Sequence, residues 1–173
     1  VSKTDATFGY SGVYDGAAHG ARATGVFGEI LAGMNAPTTR TNAGSQIVAF
    51  TFTDQSGNYN DASGTATITI AQANATVSGG AFVYDGTAHG AIATGVLGES
   101  LSAGLVSDTF INANDPLGQI ANWTFTDITG NYVDSTGTAT IDIVAKDITG
   151  NFTVANKTYD GTQAATIVTR TLT

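Results

Sequence analysis

Hydrophobic and polar residues alternate along several short stretches of the chain. In QIVAFTFTD (residues 46–54), Val48, Phe50 and Phe52 fall on one face, while small or polar residues fall on the other. GTATITI (residues 64–70) alternates Ala and Ile with Thr in the same way. A period of two residues is typical of a strand with one buried face. The pattern therefore predicts β-strands, and no stretch keeps the 3.6-residue period of a helix.

Turn-forming residues separate these stretches. Asp-Gly, Ser-Gly-Asn and Asn-Ala-Gly occur at intervals of 8–15 residues, and such signals between alternating runs favour short antiparallel strands. A short helical turn is expected only around GEILAGM (residues 28–34). The fold class is predicted to be all-β, with small Ig-like β-sandwich units.

The same patterns occur twice in the same order. VYDGAAHGARATGV (residues 13–26) returns as VYDGTAHGAIATGV (residues 83–96), an offset of 70 residues. TFTD (residues 51–54) returns at residues 124–127, an offset of 73 residues. The second copy therefore contains three additional residues. We place them around INANDPLGQ (residues 111–119), because insertions accumulate in surface loops.

These repeats divide the chain into two full units and the beginning of a third. We assign residues 1–71 to a first β-sandwich repeat, 72–145 to a second, and 146–173 to an incomplete third. The join between the first two repeats contains no Pro and no charged residue. We therefore expect a continuous strand there, and tandem domains in an extended rod. The incomplete repeat has two interpretations: it begins a further unit, or its strands pair with a neighbouring subunit and build a filament.

Composition narrows the classes of function. Charged residues make up 12%, and 14 acidic against 6 basic residues give a net charge of −8. Without a basic patch to neutralise phosphates, binding to nucleic acid is not expected. The apolar runs are too short for membrane insertion. The absence of Cys excludes disulfides, thiolate metal ligands and cysteine nucleophiles.

A weakly charged polar surface of this kind is typical of extracellular β-proteins. Because the chain begins with Val1, we expect it to be a mature or excised segment of a protein.

Each copy of the repeat contains a Tyr-Asp-Gly motif, with a His three residues after the Gly in the first two copies. Its residues are Tyr14, Asp15, Gly16 and His19; Tyr84, Asp85, Gly86 and His89; and Tyr159, Asp160 and Gly161. A His near an Asp is a candidate catalytic or metal-binding pair, but the repeat offers no nucleophile beside it. A structural corner accounts for the motif better, with a packed Tyr ring and an Asp-Gly turn that the His supports. The third copy keeps Tyr-Asp-Gly without the His, so we interpret the motif as structural and the protein as non-enzymatic.

Two further pairs of Asp flank Ser/Thr-Gly-Asn turns. They are Asp54 and Asp61 in DQSGNYND, and Asp127 and Asp134 in DITGNYVD. Calcium prefers oxygen ligands, so each pair is a candidate calcium site. The spacing differs from that of an EF-hand, and a hairpin with a solvated Asp at each end is the alternative. No other cofactor is indicated.

In order along the chain, VYDGTAHGAIATGVLGESL, NAG and AFTFTDQSGNYNDASGTATITI resemble the MBG/YDG-type tandem repeats of bacterial surface adhesins, within the bacterial Ig-like group. FTVANKTYDGTQAAT is similar to the YDG variant. The resemblance covers nearly the whole chain, although NANDPLG replaces the usual NAG turn in the second copy. It implies an extracellular or cell-surface bacterial protein that forms the stalk of an adhesin or a surface fibre.

The alternative function is an adhesin module that binds a carbohydrate or a protein, with or without calcium. Such a module needs an exposed aromatic or polar platform. The only Trp, Trp123, falls in the inward-facing register of its predicted strand, which counts against this alternative. The expected partners are therefore neighbouring repeats of the same chain, or further copies of the chain in a filament.

Overall fold

The computed structural model describes residues 2–114 and 117–173. Its regular structure is all-β, as predicted, and the described residues contain no α-helix. The strands of the first repeat are β1 (Thr7–Val13), β2 (His19–Gly20), β3 (Arg22–Thr24), β4 (Ile30–Leu31), β5 (Met34–Asn35), β6 (Thr39–Arg40), β7 (Gly44–Phe52) and β8 (Ala62–Ala71). Those of the second repeat are β9 (Thr76–Ser78), β10 (Gly80–Val83), β11 (His89–Gly90), β12 (Ile92–Thr94), β13 (Leu105–Ser107), β14 (Thr109–Phe110), β15 (Gln119–Phe125) and β16 (Ser135–Val144). The remaining strands are β17 (Gly150–Val154) and β18 (Ile167–Leu172).

The first repeat is built on a six-stranded sheet with the order β4-β3-β1-β8-β7-β5. Strands β7 and β8 form an antiparallel hairpin that pairs Gly44 with Ile70 and Phe52 with Ala62. Strand β1 is parallel to β8, with Gly9 beside Thr67. The first and last strands of the repeat are therefore neighbours that run in the same direction.

The predicted alternation places the core correctly. Val48, Phe50 and Phe52 of β7 are all buried, and they pack with buried Ile68 and Ile70 of β8. The intervening residues of β7 face solvent. Because successive side chains of a strand point to opposite faces, a single hairpin supplies most of this core.

The second repeat has the same plan with a shorter sheet, in the order β10-β16-β15-β13. Strand β10 is parallel to β16, and β15 is antiparallel to β16. The pairing of His89 with Phe110 keeps the 70-residue offset, since His19 pairs with Arg40 in the first repeat. Gln119 pairs with Ile141 as Gln46 pairs with Ile68, so from Gln119 onward the two repeats are offset by 73 residues. The net insertion of three residues therefore lies between Phe110 and Gln119, as predicted. Asp115 and Pro116 of this loop lie outside the described residues.

Two local predictions were wrong. Residues 28–34 contain β4 and the first residue of β5, and a short 3-10 helix at Ser102–Gly104 lies instead at the corresponding place in the second repeat. The join between repeats is also not one continuous strand, because β8 ends at Ala71 and β9 begins at Thr76. The intervening Ala73 is held by the second repeat, donating its N–H to the carbonyl of Asn131 at 2.9 Å.

The third copy contributes a separate hairpin. Strands β17 and β18 are antiparallel and pair only with each other among the described strands. Their side chains are exposed along their whole length. By sequence position they correspond to β9 and β12 of the second repeat. No helix within residues 2–114 and 117–173 is long and apolar enough to cross a membrane.

Candidate functional site

The first Tyr-Asp-Gly corner, Tyr14 to His19, is a hydrogen-bonded turn. Asp15 accepts hydrogen bonds at 2.9 Å from the backbone N–H of Ala17 and from Nε2 of His19. The His19 hydrogen bond, followed by that of Ala17, lowers the pKa of Asp15. Gly16 has a φ of 77°, a conformation that favours glycine. The structure thus brings the predicted Asp and His together within the turn itself.

The second corner, Tyr84 to His89, repeats this arrangement. Asp85 accepts hydrogen bonds from the backbone N–H and the hydroxyl of Thr87, at 2.8 and 2.7 Å. Nε2 of His89 lies 3.1 Å from the same carboxylate oxygen. The Thr87 hydrogen bonds are the main reason that the pKa of Asp85 falls to about 2. Gly86 has a φ of 80°, so both corners use the same backbone turn.

An aromatic ring stacks on each His, although it comes from a different strand position in each repeat. Tyr10 stacks on His19 with ring centroids 4.4 Å apart, and Phe82 stacks on His89 at 4.1 Å. Tyr10 aligns with a glycine of the second repeat, and Phe82 aligns with Gly12 of the first. In each case the ring lies over the glycine two residues away: a Cβ on Gly12 would be 2.5 Å from the Tyr10 hydroxyl, and a Cβ on Gly80 would be 3.1 Å from the ring of Phe82. The ring and the glycine have exchanged places, and the support of the His is the same.

The third corner, Tyr159 to Ala164, holds its Asp with a lysine. Lys157 occupies the position of Phe82, and Ala164 occupies the position of His89. Nζ of Lys157 lies 2.7 Å from Asp160 and donates to the hydroxyl of Thr162 at 2.6 Å. The Lys157 contact is the first cause of the lowered pKa of Asp160. In the third corner, one Lys therefore replaces both the stacked ring and the His. We did not predict this role of Lys157, although the position of the ring and the position of the His both change in the third copy of the sequence.

A second polar cluster, which was also not predicted, joins a Glu to a buried Tyr. In the second repeat, the hydroxyl of Tyr132 donates a hydrogen bond to the carboxylate of Glu99 and accepts one from the N–H of Val96 at 3.0 Å. The other oxygen of Glu99 accepts from the N–H of Leu97 at 2.9 Å. Burial, followed by the bond to Glu99, raises the pKa of Tyr132 to about 12. We name this group the Glu-Tyr clamp.

The first repeat has the same clamp between Glu29 and Tyr59. Tyr59 donates to Glu29 and accepts from the N–H of Val26 at 3.2 Å. A side chain at Gly25 would overlap both Glu29 and Tyr59, which explains the glycine at this position. The signal in the sequence is the recurrence of Thr-Gly-Val-x-Gly-Glu and Gly-Asn-Tyr in both copies.

The four aspartates proposed as calcium ligands lie in hairpin turns. Asp54 accepts hydrogen bonds from the N–H groups of Ser56 and Tyr59 at 3.0 and 2.9 Å, and donates its own N–H to Asp61 at 2.8 Å. The hydrogen bond from Tyr59 is the main cause that lowers the pKa of Asp54 to about 2. The carboxylates therefore hold the loop that carries Tyr59 into its clamp.

The second pair repeats this pattern. Asp127 accepts from the N–H groups of Thr129 and Tyr132 at 2.9 Å each, and Asp134 accepts from the N–H of Asp127 at 2.7 Å. Desolvation acts to raise the pKa of Asp127, but the hydrogen bonds from Tyr132 and Thr129 outweigh it and the pKa is lowered. Within the described part of the chain, no three His, Cys, Asp or Glu residues are grouped to hold a metal. The calcium sites stay a prediction, and the hairpin alternative accounts for every contact seen here.

The two repeats contact each other through the first corner. The ring of Tyr14 meets the ring of Tyr132 edge to face, with centroids 5.6 Å apart. The N–H of Ala43 donates to Oδ1 of Asn131 at 2.9 Å. Asn131 is only 8% exposed, and it is the one buried polar residue in the described core. The corner, the clamp and the aspartate turn thus meet where one repeat joins the next.

Comparison with known proteins adds no further constraint. No protein-family model matches the sequence, and no curated protein matches it either. The resemblance to MBG/YDG-type repeats therefore stays a prediction.

The polar groups of the corners, clamps and turns bind one another and the backbone. This arrangement fixes the shape of each repeat and its contact with the next.

Proposed function

We propose that the chain is a structural repeat segment of an extracellular bacterial surface protein, in the stalk of an adhesin or in a surface fibre. In this proposal the repeats are Ig-like β-sandwich units arranged in an extended rod. Their partners are neighbouring repeats, and they carry tension between an attachment point and the cell. The role is mechanical and not catalytic.

One observation supports this proposal above the others. In each repeat the first long strand is parallel to the last, as Gly9 beside Thr67 and Gly80 beside Ile141 show. The chain thus enters a repeat at one end of the parallel pair and leaves it at the other. Tension on the chain ends then shears all the hydrogen bonds between the two strands at once. Shearing many bonds together takes more force than opening them one by one.

The polar clusters support the same proposal. Each Asp of the three corners is bonded within its own turn, and Asn131 links the second repeat directly to the first. Contacts that recur at fixed positions suit a component whose units must be alike and must hold a constant spacing.

Single-molecule pulling on the full chain tests the proposal. The chain has no Cys, so pairs of introduced cysteines define where the force acts. Handles at the two chain ends shear the β1–β8 pair. Handles at Thr7→Cys and Thr65→Cys, both exposed and at the same end of that pair, open the same bonds one at a time. We expect the first repeat to unfold at clearly higher force when pulled from the chain ends. An equal or lower force in that direction would remove the basis of the proposal.

A further inference from the structure

The contact between the two repeats defines a receiving face on the second repeat, formed by Leu97, Asn131 and Tyr132. Asn131 binds the N–H of Ala43, and Tyr132 packs against Tyr14. Leu97 lies against Gly16 so closely that a Cβ on the glycine would be 2.5 Å from Cδ1 of Leu97. The first corner therefore occupies this face with its ring and its glycine, while the loop around Ala43 adds a backbone hydrogen bond.

The first repeat carries the same face, with Phe27, Asn58 and Tyr59 in the corresponding positions. Thr4 forms a parallel bridge with Tyr59, just as Ala73 does with Tyr132. The backbone beneath the two faces is thus alike. Within the described residues no other repeat lies against this face: Asn58 is exposed and Phe27 is 93% exposed, while Tyr59 keeps 5% of its surface exposed, compared with 1% for Tyr132 beneath Tyr14.

The second repeat, in turn, carries an unoccupied corner. Tyr84 is 40% exposed, whereas its counterpart Tyr14 is packed between two cores. No atom lies within 4 Å of a Cβ built on Gly86. Asn112 and Ala113 match the Asn-Ala pair of the first repeat, which supplies the backbone donor. Among the described residues, the receiving face of the first repeat and the corner of the second repeat therefore have no neighbouring repeat against them.

We propose that the receiving face of the first repeat binds the Tyr-Asp-Gly corner of another repeat, which a second copy of this chain presents at Tyr84. In the complex, Tyr84 packs on Tyr59 and the side chain of Phe27 lies against Gly86. The side-chain oxygen of Asn58 accepts a hydrogen bond from the N–H of Ala113. The inference rests on the proposed function, because it treats the repeats as units that stack end to end. It names the residues at which two repeats meet and the order in which they stack. The contact joins different surfaces of the two copies, so it can repeat head to tail from one copy to the next. A contact this small binds weakly as a single pair.

Complementation between two variants tests this inference by NMR, which detects weak complexes. Phe27→Ser removes the receiving face and Tyr84→Ala removes the corner, so we expect neither variant to associate with itself. Isotope-labelled Tyr84→Ala protein is then titrated with unlabelled Phe27→Ser protein. The Asn58 and Tyr59 amides are expected to shift and to saturate at one partner per chain. Ile47→Ser, a change at a 72% exposed residue of β7, serves as the control and should leave self-association intact.

Each outcome decides the question. The double variant carrying both Phe27→Ser and Tyr84→Ala should shift no resonance of the labelled protein, because it has no working corner. Absence of shifts with the Phe27→Ser partner, or shifts confined to β17 and β18, would overturn the inference. The second of these results would indicate strand pairing through the hairpin. Neither result bears on the pulling experiment, which measures force within one chain, so the stalk proposal would be judged separately.

Discussion

Asn131→Ala is expected to weaken the contact between the repeats, and Asn58→Ala provides a matched control. The backbone groups of both residues make their hydrogen bonds in either variant, and neither residue has a positive φ. Only Asn131 uses its side chain to bind the neighbouring repeat, through Ala43 at 2.9 Å. Nδ2 of Asn131 also donates a long hydrogen bond, at 3.5 Å, to Oδ1 of Asn42. The difference between the two variants therefore reports what the Asn131 side chain contributes between the repeats, chiefly through its shorter bond to Ala43.

The expected magnitude follows from that bond. Losing it costs about 1 kcal/mol, and leaving the half-buried N–H of Ala43 without a partner raises the total to about 2 kcal/mol. For a urea m value of about 2 kcal/mol per molar, the unfolding midpoint falls by about 1 M. Asn58→Ala changes an exposed side chain, so its effect should stay within about 0.5 kcal/mol.

Urea unfolding followed by two signals measures this loss. Trp123 is the only Trp, and it lies in β15, so its fluorescence follows the second repeat alone. Circular dichroism follows both repeats. We expect the fluorescence midpoint of Asn131→Ala to fall well below that of the unmodified chain. Equal midpoints for Asn131→Ala and Asn58→Ala would show that the bond between repeats contributes nothing to stability, and would refute this reasoning.

Two further predictions concern pH. The pKa values of Asp54 and Asp85 are lowered from 3.8 to about 2. Their stabilising effect is therefore complete above the pKa of the unfolded chain and is lost as the pH falls through the pKa of the folded chain. The melting temperature should decline between about pH 4 and pH 2, and a flat profile there would contradict the hydrogen bonds assigned to these turns. The pKa of Tyr132 is raised from 10.0 to about 12, so its contribution is complete below pH 10 and is lost as the pH rises towards 12. The bond to Glu29, followed by burial, also raises the pKa of Tyr59, so a tyrosinate absorbance titration of the native chain should show late-titrating groups whose number falls by one in Tyr132→Phe. An unchanged number of late-titrating groups in that variant would disprove the assignment.

The strand hairpins were predictable because their signals are local. Alternation along β7 identifies Val48, Phe50 and Phe52 as core residues whatever the rest of the chain does, since the period of a strand is a property of the backbone. The offsets between copies likewise place the insertion before Gln119. Tyr-Asp-Gly as a turn followed from the preference of glycine for positive φ, which Gly16 and Gly86 show.

The clamps and the third corner were not predicted, for a different reason. Tyr59 and Glu29 are 30 residues apart in sequence, and nothing near either of them marks the other as its partner. The exchange of a stacked ring and His for Lys157 also depends on which side chains face the same turn. Comparison of aligned positions among the three copies would have shown the correlated change, but not the contact that causes it.

The sequence by itself thus determined that the chain folds as repeated β-hairpins with Tyr-Asp-Gly turns, because strand period and turn conformation depend on residues close together in the chain. Only the tertiary structure decided that the first and last strands of a repeat are parallel neighbours. It alone also showed that Asn131 is buried at a joint while Asn58 is exposed. These two residues occupy the same motif, and among the described residues only Asn131 has another repeat against it.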